Sequence, residues 1–163
     1  MSDYTRTTRE CMFEQLQPEL VAAIREHVEK HNLGNVEAEA LICCETTSQR
    51  QKKPGLISRA LGGDPDKVHY PGALVTPRLL VWGTRGEKRG AAVLSVRLSE
   101  AEVRDYASGP FAKMVADSGI DVTGMPSGGL ERVTGFIGLG EGLAAERFKE
   151  ILFAASERAR NPQ

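Results

Sequence analysis

The stretch Gly72–Leu98, GALVTPRLLVWGTRGEKRGAAVLSVRL, constrains this chain more than any other. Apolar and polar residues alternate on both sides of Gly86-Glu87-Lys88-Arg89, and Thr76-Pro77 supplies a second break upstream. Alternation between short turns marks antiparallel hairpins, because successive side chains of a strand point to opposite faces. The spacing predicts strands at Val68–Val75, Arg78–Arg85 and Gly90–Leu98. A small sheet of this kind has an apolar face that another element must cover.

Two segments of helical period are available for that purpose. Between Glu10 and Asn32, Phe13, Leu16, Leu20, Ile24 and Val28 recur three or four residues apart. Pro18 suits a first helical turn and Gly34 a terminator, so the main helix is predicted at 18–32. From Leu143 to Arg158, Ala144, Phe148, Ile151, Leu152 and Ala155 fall on one face. Val36–Thr47, Ile120–Thr123 and Arg132–Leu139 read as further strands, and residues 107–119 hint at another short helix. Ser99-Glu100-Ala101-Glu102 reads as a capped helix start, and residues 1–9 as a loose polar lead. The long connection Ser48–Asp66 holds one helical turn at Leu56, Ile57, Ala60 and Leu61. Helix, strands in hairpin succession and a closing helix define an α+β chain: a bent antiparallel sheet or partly open barrel capped by its C-terminal helix. Residues 1–34 are then an N-terminal helical extension and residues 35–160 the main domain.

Composition narrows the function classes. The chain has 163 residues, 40% apolar and 26% charged, with a formal net charge of −1. Folding at this length buries roughly two-thirds of the unfolded surface, so a core needs no staples. Near-neutral charge, one Trp and no basic-aromatic interleaving argue against a nucleic-acid binder. The N-terminus has no apolar signal core, and the three cysteines, Cys11 and the adjacent Cys43-Cys44, make a poor disulfide framework. Both point to reducing cytoplasm.

Motifs that carry chemistry are incomplete. His27 and His31 are four apart on the first helix, a spacing that seats zinc, but no third ligand accompanies them. They read instead as the edge of the helix's apolar stripe. In a strand, Cys43 and Cys44 face opposite ways, and His69 is the one candidate base for a thiol nucleophile. Gly138-Leu139-Gly140-Glu141-Gly142 precedes a helix but matches neither phosphate-loop spacing; a tight strand-to-helix corner explains it. No cofactor or metal is expected, and a small metal- or thiol-dependent enzyme is a remote alternative.

Two stretches resemble a known family. GALVTPRLLVWGTRGEKRGAAVLSVRLSEAEV (72–103) is similar to the central hairpins of bacterial pleckstrin-homology-like and GRAM-like domains, and GFIGLGEGLAAERFKEIL (135–152) to their last strand and capping helix. The resemblance spans residues 36–158. It implies a seven-strand, strongly bent, barrel-like sheet plugged by the last helix, and a non-catalytic role in binding inositol phospholipids, peptides or proteins. It also implies a headgroup site between the first two strands, where Arg50, Lys52, Lys53 and Arg59 lie. Four such charges at an anionic membrane contribute about 1 kcal/mol each, a roughly millimolar affinity. Leu56, Ile57 and Leu61 would add to this if inserted; the economical expectation is that they pack on the body of the domain. The expected function is a binding or scaffold domain whose partner is a protein, a peptide or a second copy of the chain, with anionic phospholipid or phosphate as the alternative ligand.

Overall fold

Five strands form one antiparallel meander in the order β1 (Tyr4–Glu10), β2 (Ile42–Arg50), β3 (Val68–Val75), β4 (Leu79–Gly86) and β5 (Ala91–Arg97). A second antiparallel sheet follows, made of β6 (Glu102–Asp105), β7 (Gly119–Gly124) and β8 (Val133–Gly138). Among the described residues the α-helices are α1 (Pro18–Lys30), α2 (Val36–Glu39), α3 (Leu56–Ala60) and α4 (Leu143–Arg160). This is a computed structural model describing residues 2–52, 55–60 and 66–162, the side chains of Ser58 and Arg59 excepted.

The strand alternation sorts the larger sheet's side chains into two cores. Cys43, Leu74, Leu79 and Val81 face α1 and join Phe13, Leu16, Leu20, Ile24 and Val36. Ile42, Cys44, Ala73, Val75, Leu80 and Trp82 face the other way. There they meet Ile120, Val122 and Ile137 of the smaller sheet and Ala145, Phe148, Leu152 and Ala155 of α4. Cover on both faces is why β3 and β4 are so apolar. Each fully buried Leu or Phe stabilises the fold by about 1.5–3 kcal/mol. Among the described residues no buried side-chain nitrogen or oxygen lacks a hydrogen-bond partner.

The α+β expectation therefore holds, with the C-terminal helix packed against β1, β2 and β3. The two sheets do not close into a barrel; the bridge Val96–Pro126 and the bond from Ser127 N to Ser95 O (2.9 Å) join them. Four local expectations need correction. Residues 4–10 are not loose but pair with β2, Thr5 opposite Gln49 and Thr7 opposite Thr47. An edge strand with one open face needs little apolar content, and its Thr residues favour extended backbone. Val36–Glu39 is helical, capped by Asn35 Oδ1 accepting from Ala38 N at 3.2 Å, so β2 begins only at Ile42. Ser99–Glu102 is no helix start: the chain turns through Glu100 N to Arg97 O (3.1 Å) and enters β6, paired with β7. In the 107–119 stretch, Phe111, Met114 and Val115 form hydrogen-bonded turns and no helix, Met114 N and Val115 N both donating to Phe111 O at 3.0 Å.

The glycines after β8 serve a close approach. A Cβ on Gly140 would lie 2.6 Å from the Arg6 carbonyl oxygen, so this corner presses directly on β1. Its amide donates to Thr8 Oγ1 at 2.8 Å.

Candidate functional site

The basic connection was the sequence's own candidate, and its residues stand in different settings. Arg50, at the end of β2, donates to the carbonyl oxygen of Asp66. Lys52 Nζ lies 3.0 Å from Asp3 Oδ1, with both side chains largely exposed. Lys53 and Leu61 lie outside the described residues, and Arg59 falls on α3 with its side chain outside them too. Leu56 and Ile57 do not pack on the body: they are 83% and 77% exposed. Among the described residues no second element covers this five-residue helix.

Beneath this connection Asp66 is fully buried. Its carboxylate accepts from the Lys88 amide at 2.6 Å and the Arg89 amide at 3.2 Å, tying the β2–β3 connection to the β4–β5 turn. Burial pushes the Asp66 carboxyl up, but those two amides, helped by the charges of His69 and Arg89, hold it below its usual range.

A second cluster gathers residues far apart in sequence. His27 Nε2 lies 2.7 Å from Ser95 Oγ on β5, and Ser95 Oγ donates to Ser127 Oγ at 2.7 Å. The His31 ring stands edge-on to that of His27, centroids 4.5 Å apart, and lies against Gly128, whose φ is +77°. His27, His31, Ser127 and Gly128 border a shallow cleft of about 460 Å³ between α1, β5 and the β7–β8 turn. Burial, then the neighbouring His31 and Lys30, lower the His27 pKa. Among the described residues no group of three or more His, Cys, Asp or Glu side chains is placed to hold a metal. His27 Nε2, Ser95 Oγ and Ser127 Oγ bond one another, so this chain of contacts ties helix, sheet and turn together. Ser95 and Ser127 went unnoticed in the sequence because no spacing links them to His27.

The thiol arrangement is not assembled. Cys43 and Cys44 face opposite cores, as strand geometry requires. They sit opposite Leu74 and Ala73, whereas His69 sits opposite Ser48.

The remaining feature is an edge. Three of the four sheet edges are protected: β1 by Gly140, β5 by Ser127 and Pro126, and β6 by its brevity and its charged Glu102 and Arg104. β8, Val-Thr-Gly-Phe-Ile-Gly, has neither charge nor Pro. Among the described residues no backbone hydrogen bond reaches its outer side. Beside it Leu130 is 94% exposed, with Val133 and Phe136 also open to solvent. On the outer face of the same sheet, Phe111 (62% exposed), Arg104, Asp121 and Thr134 line a concavity of about 250 Å³. Sequence alternation located the strand, but which strand is left at an edge depends on pairing.

Fold and surface together define a two-sheet α+β chain in which, among the described residues, β8 is the unprotected strand edge. Comparison with family models, curated proteins and solved structures found no match to this chain. No described helix is long and apolar enough to cross a membrane.

Proposed function

We propose that this chain is a non-catalytic docking module of pleckstrin-homology-like plan whose β8 edge accepts an extended segment of a partner polypeptide. The five-strand meander, the three-strand sheet and the closing helix are in keeping with that plan, with one strand more than its seven. The observation that carries the reading is the edge itself. Unpaired backbone donors and acceptors on an uncharged strand are a template for another chain. Leu130, Val133 and Phe136 supply apolar contacts alongside.

The test uses phage-displayed random peptides against the whole chain and a Leu130→Glu/Val133→Glu variant. Both positions are exposed, and circular dichroism and a urea melt of the variant confirm that it is folded before it is compared. Enrichment of peptides with alternating apolar residues on the wild type alone supports the reading. Equal enrichment on both proteins, or none on either, defeats it. Sedimentation of the same pair identifies the case in which the partner is a second copy.

A second reading rests on Leu56 and Ile57. Two exposed apolar side chains in a connection whose sequence also holds Arg50, Lys52, Lys53 and Arg59 suit an anionic phospholipid surface. Flotation with phosphatidylserine vesicles, lost at high salt and in Leu56→Glu/Ile57→Glu, is the expected result. Flotation unchanged by either treatment, or absent from the start, removes it.

A further inference from the structure

We infer that the segment received at the β8 edge carries a lysine or arginine whose cation Asp121 holds in the concavity on the outer face of the smaller sheet. This rests on the β8 docking reading and adds to it the chemistry of the partner. The register sets Arg104, Asp121 and Phe136 side by side across β6, β7 and β8, with Glu102, Thr123 and Thr134 in the next row. These six side chains share one face, because alternate residues of a strand point the same way. The turns from Gly109 to Val115 fold back over them. A Cβ on Gly109 would lie 3.2 Å from Asp121 Oδ2, and the Tyr106 hydroxyl donates to Val115 O at 2.9 Å. Pro110 and Phe111 thus wall a concavity of about 250 Å³ that Asp121, Thr123 and Thr134 also line.

The polar groups of this concavity pair off and leave one over. Arg104 Nη2 lies 2.6 Å from Glu102 Oε1, and Thr123 Oγ1 lies 3.1 Å from Thr134 Oγ1. Among the described residues the Asp121 carboxylate makes no hydrogen bond or ion pair. Burial pushes its carboxyl up, and the charge of Arg104 opposes this only in part. The three charged side chains therefore lack one cation. A strand added beside β8 turns alternate side chains onto this face. Two strand spacings, about 10 Å, then separate its Cβ atoms from that of Asp121. Only lysine and arginine combine that reach with a positive charge. Phe111, open to solvent, offers an aromatic ring to the arriving cation. Backbone bonds along a sheet edge supply affinity, and a pocket for alternate side chains supplies selectivity.

The experiment sequences the phage-displayed peptides enriched on the wild type but not on Leu130→Glu/Val133→Glu. A lysine or arginine at one fixed place in their apolar alternation is expected. A synthetic peptide of that consensus should bind Asp121→Asn at least about tenfold more weakly than wild type, read by fluorescence anisotropy. With its basic residue replaced by glutamine, the peptide should bind both proteins alike, which a merely damaged fold would not produce. Enriched peptides without a fixed basic residue, or an affinity unmoved by Asp121→Asn, overturn this proposal and leave the β8 docking reading standing. Peptides indifferent to Leu130→Glu/Val133→Glu, or no enrichment, defeat that reading and this proposal with it. Wild type that binds the basic and glutamine peptides equally well also overturns it, even if Asp121→Asn fails to fold.

Discussion

Gly72 on β3 lies directly opposite Gly83 on β4, and the two bare backbones leave a slot that the Leu20 side chain of α1 fills. A Cβ on Gly72 would come within 2.6 Å of Leu20 Cδ2, and one on Gly83 within 2.8 Å of Leu20 Cδ1. The hairpin that dominates the sequence is thus shaped to receive a helix from outside it.

The slot predicts two unequal costs. Gly83→Ala also drives its methyl to 2.7 Å from the Ala92 carbonyl oxygen, which is backbone and cannot swing away. Overpacking there costs about 1–3 kcal/mol. Gly72→Ala meets only the ends of Leu side chains, so Leu20→Ala, itself costing about 2–5 kcal/mol, absorbs much of its effect. Urea unfolding of the single and double variants should show strong non-additivity for Leu20 with Gly72 and weaker non-additivity with Gly83.

Arg6 and Asp117 give a second prediction. Their ion pair joins β1 to the segment before β7, with side chains only 8% and 18% exposed. The Arg6 guanidinium also lies over the rings of Tyr4 and Phe136, and its Nε bonds Ser48 Oγ at 3.1 Å. Asp117→Ala leaves that cation without its counter-charge and should cost about 3 kcal/mol. Removing both partners in Arg6→Met/Asp117→Ala should cost less than the sum of the single changes, read from the same urea curves.

The His27 tie makes stability depend on pH. Burial holds the folded His27 below its ordinary pKa, so the unfolded chain binds its proton more readily. Its contribution is complete above about pH 6.5 and is lost as pH falls through the lower, folded value. His27→Gln should flatten the decline in urea midpoint between about pH 7.5 and 5.5 relative to wild type. A slope unchanged by the substitution would count against the tie.

Asp66 behaves as a depressed carboxylate. Its stabilising effect is present above the ordinary carboxylate range and disappears as acid protonates it. Asp66→Ala should speed hydrogen exchange at the Lys88 and Arg89 amides far more than at the Leu80 and Val81 amides in mid-strand.

The elements legible beforehand share one property. The helix at 18–30, the strands at 68–75, 79–86 and 91–97, and the helix at 143–160 all repeat their apolar residues on a period set within the element. β1 was missed because an edge strand of Tyr-Thr-Arg-Thr-Thr-Arg-Glu has no such repeat, and its partner lies more than thirty residues on. Ser99–Glu102 misled because a capping pattern is a local preference, which pairing of β6 with β7 outweighed. The basic residues were legible as a charged stretch, but the Arg50–Asp66 contact was not.

The sequence by itself determined the class: alternating hairpins and amphipathic end helices admit an antiparallel sheet covered by helices, because side-chain direction follows from backbone period alone. Only the tertiary structure decided that β1 joins the meander, that Ser95 and Ser127 meet His27, and that β8 is left as the open edge. Those outcomes depend on which distant surfaces fit together, and that fit is a property of the folded packing that no local repeat encodes.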